Sequence, residues 1–132
     1  MPGLDTNVLV RWLVADDDAQ TAQVQRLFDA SANGDPLFVP TTVSLELEWV
    51  LRSRYRLDKA AVIRAFNALL ETQGLELQSE GAIERALHAY RNGNAEFADC
   101  LHAGLCGAAE RSPMLTFDAK AARLPTAALI AS

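Results

Sequence analysis

The stretch GLDTNVLVRW, Gly3 to Trp12, decides how the rest of the chain is read. A single apolar residue, Leu4, is followed at once by a carboxylate, a hydroxyl and an amide, and then by an apolar run. The middle of a buried strand or helix has little use for such a triplet, because a buried charge is costly unless it is paired. Two uses remain. Asp5, Thr6 and Asn7 are all good helix caps, and the carboxyl end of a strand is where α/β folds place their ligand sites. These residues alone leave capping and chemistry equally open.

The segments that follow set the context. Short apolar stretches at Leu4, Leu37 to Val39, Leu75 to Leu77, Met114 to Leu115 and Ala128 to Ile130 alternate with longer helix-like segments. Start signals precede three of these: Thr41 or Thr42, Asp58 and Ser79. Asn33-Gly34, Gly74 and Asn92-Gly93-Asn94 supply stops, the first of them ending a segment from about Gln20 to Ala32. Strands alternating with crossover helices predict a mostly parallel sheet covered on both faces, with its crevice beyond the carboxyl ends of the strands. Asp5 then lies just past the first strand, and Asp118 just past "MLTF", Met114 to Phe117.

With 132 residues, half of them hydrophobic, the chain is expected to be one compact domain over 1–132. No repeat or low-complexity linker divides it. No apolar stretch reaches membrane-spanning length, and the N-terminus lacks the basic and hydrophobic regions of a signal peptide, so a cytoplasmic protein is expected, with no membrane partner. Cys100 and Cys106 share one apolar segment, where a helix would point them apart; they read as reduced core residues. With His88 and His102 they show no zinc-ligand spacing, so any metal here is bound by oxygen. The net charge of −5 excludes a protein that coats nucleic acid through bulk electrostatics. It leaves room for local basic strips. One runs through Arg52, Arg54, Arg56 and Lys59 with Tyr55 between, and a smaller one pairs Lys120 with Arg123.

Four carboxylates lack a local cation. On a helix through "VSLELEWVLRSRY", the apolar stripe is Val43, Leu47, Val50 and Leu51; Glu46 borders it, with Thr42 and Val50 as its nearest neighbours along the helix. Glu48 has Arg52 at i+4 and reads as solvated surface. The segment "FADCLHAGLCGAA", Phe97 to Ala109, is apolar nearly all round and reads as a buried helix. Asp99 sits in its first turn, where the helix N-terminus offsets part of its cost and Glu96 at i−3 adds to it. Asp5, Glu46, Asp99 and Asp118 thus come from four elements, and if gathered they would need a divalent cation. Oxygen-only ligands select Mg²⁺ or Mn²⁺, and such ions can activate water for displacement at phosphorus. Blander readings stand beside these. Glu46 alone is more often a surface acid, Asp118 a cap to "AKAAR", His102 a core histidine bonded to backbone, Glu96 a first-turn dipole partner, and Arg52 to Lys59 a solvated face.

With those four positions in place, the chain closely resembles the PIN-domain family, and within it the VapC-type toxins of bacterial type II toxin–antitoxin pairs. The resemblance runs nearly end to end. It rests on "LDTNVLVR" (Leu4 to Arg11), "ELEWVLRSRY" (Glu46 to Tyr55), "FADCLHA" (Phe97 to Ala103) and "LTFDAKAARLP" (Leu115 to Pro125), in that order. It implies a three-layer α/β/α single domain around a short, mostly parallel central sheet. It further implies a Mg²⁺- or Mn²⁺-dependent endoribonuclease whose acids match Asp5, Glu46, Asp99 and Asp118. Asp5, Asp99 and Asp118 would hold the ion, Glu46 would share in ligation or orient the attacking water, and Thr6, Asn7 and Thr116 would support the site. Some relatives carry an acid where Glu96 stands. Arg11, Arg52 and Arg54 are candidates to steer phosphate on the RNA substrate. A cognate antitoxin protein and a homodimer are the partners the resemblance implies. Met1-Pro2-Gly3 leaves an unusually short first strand, with Pro2 only at its start.

Rival readings are separable in the sequence. An aspartyl phosphatase needs a second acid two residues after the first, where Asn7 stands; a receiver domain needs an acid ending its middle strand, where Gln78 follows Leu77. The stronger rival is a non-catalytic PIN-like module that binds RNA or a protein without cutting.

Overall fold

A computed structural model describes residues 1–130. By its internal contacts the chain forms two compact units, the first being Met1–Gln78 and the second beginning at Ser79.

In the first unit, Phe38 N donates to Pro2 O and Leu4 N donates to Phe38 O, each at 2.8 Å, so the expected first strand is a single parallel bridge at Gly3. Pro2 has no N–H to donate, and it sits where only its carbonyl is needed. The chain then turns into α1 (Thr6–Val14) and α2 (Asp18–Ala32). Trp12 and Phe28 pack their rings 5.1 Å apart, joining these two helices. Strand β1 (Leu37–Val39) leads to α3 (Thr41–Ser53) and α4 (Lys59–Leu70), and β2 (Leu75–Leu77) returns parallel to β1 with Leu37 opposite Leu75. Leu9, Val39, Leu47, Leu51, Val62 and Phe66 are fully buried.

Two expectations for α3 need correction. Its N-cap is Pro40, with no side-chain cap of its own, rather than Thr41 or Thr42. The cap comes from elsewhere: Thr41 N donates to Oε1 of Gln78, just after β2. The buried stripe is also turned by one position, to Ser44, Leu47, Glu48 and Leu51, while Val43 and Val50 are half-buried. Glu48 is therefore not solvated surface but 3 % exposed. Its carboxylate is bound by Arg52 Nε at 2.8 Å, the i+4 pairing that the sequence indicated. Hydropathy turned the helix the wrong way because it treats a paired carboxylate as polar whatever its partner.

In the second unit, α5 (Glu80–Asn92) and α6 (Phe97–Ala108) pack as a helix pair. The Tyr90 and Phe97 rings meet edge to face, 5.7 Å apart. Strand β3 (Met114–Thr116) runs parallel to β4 (Ala127–Leu129), with a 3-10 turn at Ala121–Arg123 between them. Strand β4 begins one residue before the predicted Ala128, and Ile130 continues the pairing through its N–H to Thr116 O. Helix α6 is not buried all round: Phe97, Cys100, Leu101 and Ala103 are inside, and His102 is exposed rather than a core histidine. The small residues that made the segment look apolar (Ala98, Gly104, Gly107) leave part of its circumference open. Neither cysteine is in a disulfide among the described residues; Cys100 is buried and Cys106 half-buried.

The architecture is α/β with short parallel strands, as the alternation predicted. No helix among the described residues is long and apolar enough to cross a membrane.

Candidate functional site

Asp5 is a helix cap, one of the two uses the sequence left open, and it also lies just past the bridge that stands in place of the first strand. It is the N-cap of α1, its Oδ1 accepting from Thr6 N at 2.7 Å, and it follows directly on the bridge at Gly3. The Asp5 side chain is exposed, and no hydrogen bond to its Oδ2 is seen among the described residues. Thr6 is buried, and its hydroxyl donates to Glu46 Oε1 on α3. The strand end and the helix are thereby tied together: one carboxylate holds the Thr6 amide, and that residue's hydroxyl holds the other carboxylate. Glu46 is exposed rather than at the edge of the core, because the stripe of α3 is turned toward Ser44 and Glu48. Asn7 is exposed in the first turn of α1.

The second unit places Asp99 half-buried in the first turn of α6, with exposed Glu96 as the N-cap residue but without a side-chain cap bond. Asp118 is exposed after β3. Its Oδ1 accepts from Lys120 N at 2.8 Å and from Ala121 N at 3.4 Å, and its own N–H donates to Thr116 Oγ1 at 3.0 Å. That is the capping geometry expected from the sequence.

None of the four acids takes part in an ion pair among the described residues; the pairs present are Met1 with Asp35, Arg11 with Asp16, and Arg52 with Glu48. Among the described residues no group of three or more His, Cys, Asp or Glu side chains is gathered to hold a metal. The donor types nonetheless suit a hard cation, being carboxylates and hydroxyls and so all oxygen. Of the candidate phosphate-steering cations, Arg11 lies half-buried against Asp16, Arg52 holds Glu48, and Arg54 is the exposed C-cap of α3.

Sequence reasoning missed the part played by Gln78, and it passed over a cavity in the second unit where Arg85 joins Lys120 and Arg123. The basic pair was visible in the sequence, but Arg85 on α5 reads as an ordinary surface residue until the helix pair is formed.

The PIN domain family model matches residues 4–127, which is nearly the whole chain and spans both units. The chain belongs to the PIN domain family. It is similar to a VapC ribonuclease of Aquifex aeolicus (strain VF5), 26 % identical over 98 residues, covering 74 % of this chain and 73 % of that protein. Among solved structures, that of VapBC2 from Rickettsia felis bound to a DNA fragment from its promoter is 18 % identical with a TM-score of 0.42, covering 98 % of this chain and 96 % of that one.

Proposed function

We propose that this chain is a metal-dependent endoribonuclease, the toxin of a type II toxin–antitoxin pair, and that residues 1–132 act as one PIN domain. The observation that carries the reading is the set of four acids without cations, two of them linked through Thr6. Family membership and the similarity to a VapC ribonuclease support it.

Asp5, Asp99 and Asp118 hold the divalent ion, Mg²⁺ or Mn²⁺, with Glu46 sharing in ligation or orienting the attacking water. The ion, when bound, supplies charge stabilisation and an activated water for displacement at phosphorus. The protein's own part is positioning. Thr6 fixes one oxygen of Glu46, so its other oxygen is presented in one orientation. Backbone amides at Lys120 and Ala121 and the Thr116 hydroxyl hold the turn that presents Asp118. Asn7 and Glu96 support the acids from the first turn of α1 and the N-cap of α6. Arg11, Arg52 and Arg54 steer the phosphates. The cognate antitoxin covers the acids, the protein is a cytoplasmic homodimer, and its substrate is single-stranded or looped RNA.

The test is cleavage of a mixed RNA pool by partner-free protein with Mg²⁺, with Mn²⁺ and with chelator, and by Asp99→Asn in parallel. Cleavage that appears with either ion, vanishes in chelator and is lost in the folded Asp99→Asn protein is the expected result. RNA binding that persists in chelator, with no cleavage under any divalent ion, would instead make the chain a non-catalytic binding module.

A further inference from the structure

The second unit holds a cavity of about 790 Å³ that the acids do not line. Its walls are the outward side of α5, the small-residue side of α6 and the turn between β3 and β4. Arg85, Lys120 and Arg123 stand around it, all exposed, and Glu84 is the only acid of the described lining. None of the three cations takes part in an ion pair among the described residues. Three unpaired cations around one cavity, in a chain of net charge −5, mark a place for an anion.

The floor limits what that anion carries. Ala89, Ala103, Gly104 and Gly107 give it an apolar floor of small residues, with the Thr126 methyl packed close to Gly107. At its edges Asn92, Asn94 and Thr126 supply amide and hydroxyl groups. Thr126 donates to Ala103 O, which leaves its oxygen able to accept. A lining that combines small apolar residues, amide and hydroxyl groups and three cations suits one unstacked nucleotide: base on the apolar floor, base edge on the amides, phosphates on the cations. A duplex cannot offer its base to such a floor. Lys120 also belongs to the turn whose amide holds Asp118 Oδ1 at 2.8 Å, so a strand lying on Lys120 continues toward a candidate catalytic acid. An acidic peptide would satisfy the cations but has no reason to run on to a carboxylate.

We infer that this cavity is a substrate subsite that binds a nucleotide flanking the cleaved bond of single-stranded RNA. The inference rests on the ribonuclease reading for its substrate, but its test does not depend on cleavage.

Binding of a labelled single-stranded RNA oligonucleotide is measured in chelator, for the unmodified chain, for Arg85→Glu with Arg123→Glu, for Ala89→Leu, and for Arg64→Glu, an exposed control on α4. The double reversal is expected to weaken binding about tenfold or more and to flatten its salt dependence by about 1.4 logarithmic units per unit, from two lost phosphate contacts. Ala89→Leu, which fills the floor without changing charge, is expected to weaken binding at unchanged salt slope. Arg64→Glu is expected to have no effect, and unchanged melting curves confirm that all variants are folded. Equal affinity of the double reversal and the unmodified chain overturns the subsite. So does equal weakening by Arg64→Glu, or displacement of no RNA by an excess of mononucleotide together with displacement by an oligoglutamate peptide. A chain that shows this binding pattern but never cuts RNA keeps the subsite and loses the nuclease; a chain that cuts with metal but ignores the groove variants does the reverse.

Discussion

Thr6 shows how much a single side chain decides here. Its amide is held by Asp5 and its hydroxyl is given to Glu46, so it connects two acids that are far apart in the sequence. Thr6→Val keeps the shape and removes the hydroxyl; the expected result is divalent-ion affinity lower by about 10–100-fold with little change in stability, read by isothermal titration of Mn²⁺. Unchanged affinity would show that Glu46 needs no such support. Glu48 and Ser44 are the other telling residues of α3. With Glu48 almost wholly inside, Arg52→Ala strands a buried carboxylate, and a loss of about 1–3 kcal/mol is expected in urea unfolding. A loss near zero would mean that water reaches the carboxylate. Ser44 is 1 % exposed and its Oγ has no hydrogen-bond partner among the described residues. Ser44→Ala removes that orphaned group and favours the helix, so stability should rise by about 0.5–1 kcal/mol in the same assay. These three residues also mark where the sequence misleads. Nothing in the hydropathy of "VSLELEWVLRSRY" says that Ser44 and Glu48 face inward, because hydropathy weighs each residue without its partners.

At the level of elements, starts and stops were mostly legible because they are local. Asp58 caps α4 through Ala61 N, the segment ending at Asn33-Gly34 is α2, and Gly74 marks the turn into β2. Gly74 has φ +90°, and a Cβ there would lie 2.7 Å from the carbonyl carbon of Ser31. Backbone conformation and close approach both demand glycine. Gly74→Ala should therefore destabilise the first unit by about 2 kcal/mol or more, read as a lower urea midpoint at unchanged slope. The start of α3 was misplaced because its cap is not local: Gln78 supplies it from the far end of the unit. Hydrogen exchange at the Thr41 amide tests this directly, since Gln78→Ala should speed it while leaving the middle of α3 protected. The short strands were found by their apolar runs, but their pairing partners were not, since three-residue strands carry too little pattern to specify register.

For the molecule as a whole, the acid excess gives the metal reading a stability consequence that needs no substrate. On the proposed reading the acids bind an ion in the folded chain and not in the unfolded one, so Mn²⁺ at a hundredfold its Kd should stabilise the chain by about 2.7 kcal/mol. Asp99→Asn should lose most of that gain, and a melting temperature indifferent to Mg²⁺ and Mn²⁺ would remove the ion from the proposed mechanism. The sequence by itself determined the α/β class and the family, and it singled out four acids as candidates, because periodicity, caps and the recurring motifs are all written along the chain. Only the tertiary structure decided which face of α3 is inside, what caps it, that Thr6 joins Asp5 to Glu46, and that Arg85 meets Lys120 and Arg123 around one cavity. Each of these depends on residues distant in sequence, and the free energy of a polar group is set by the partner it finds in the fold rather than by its own chemistry.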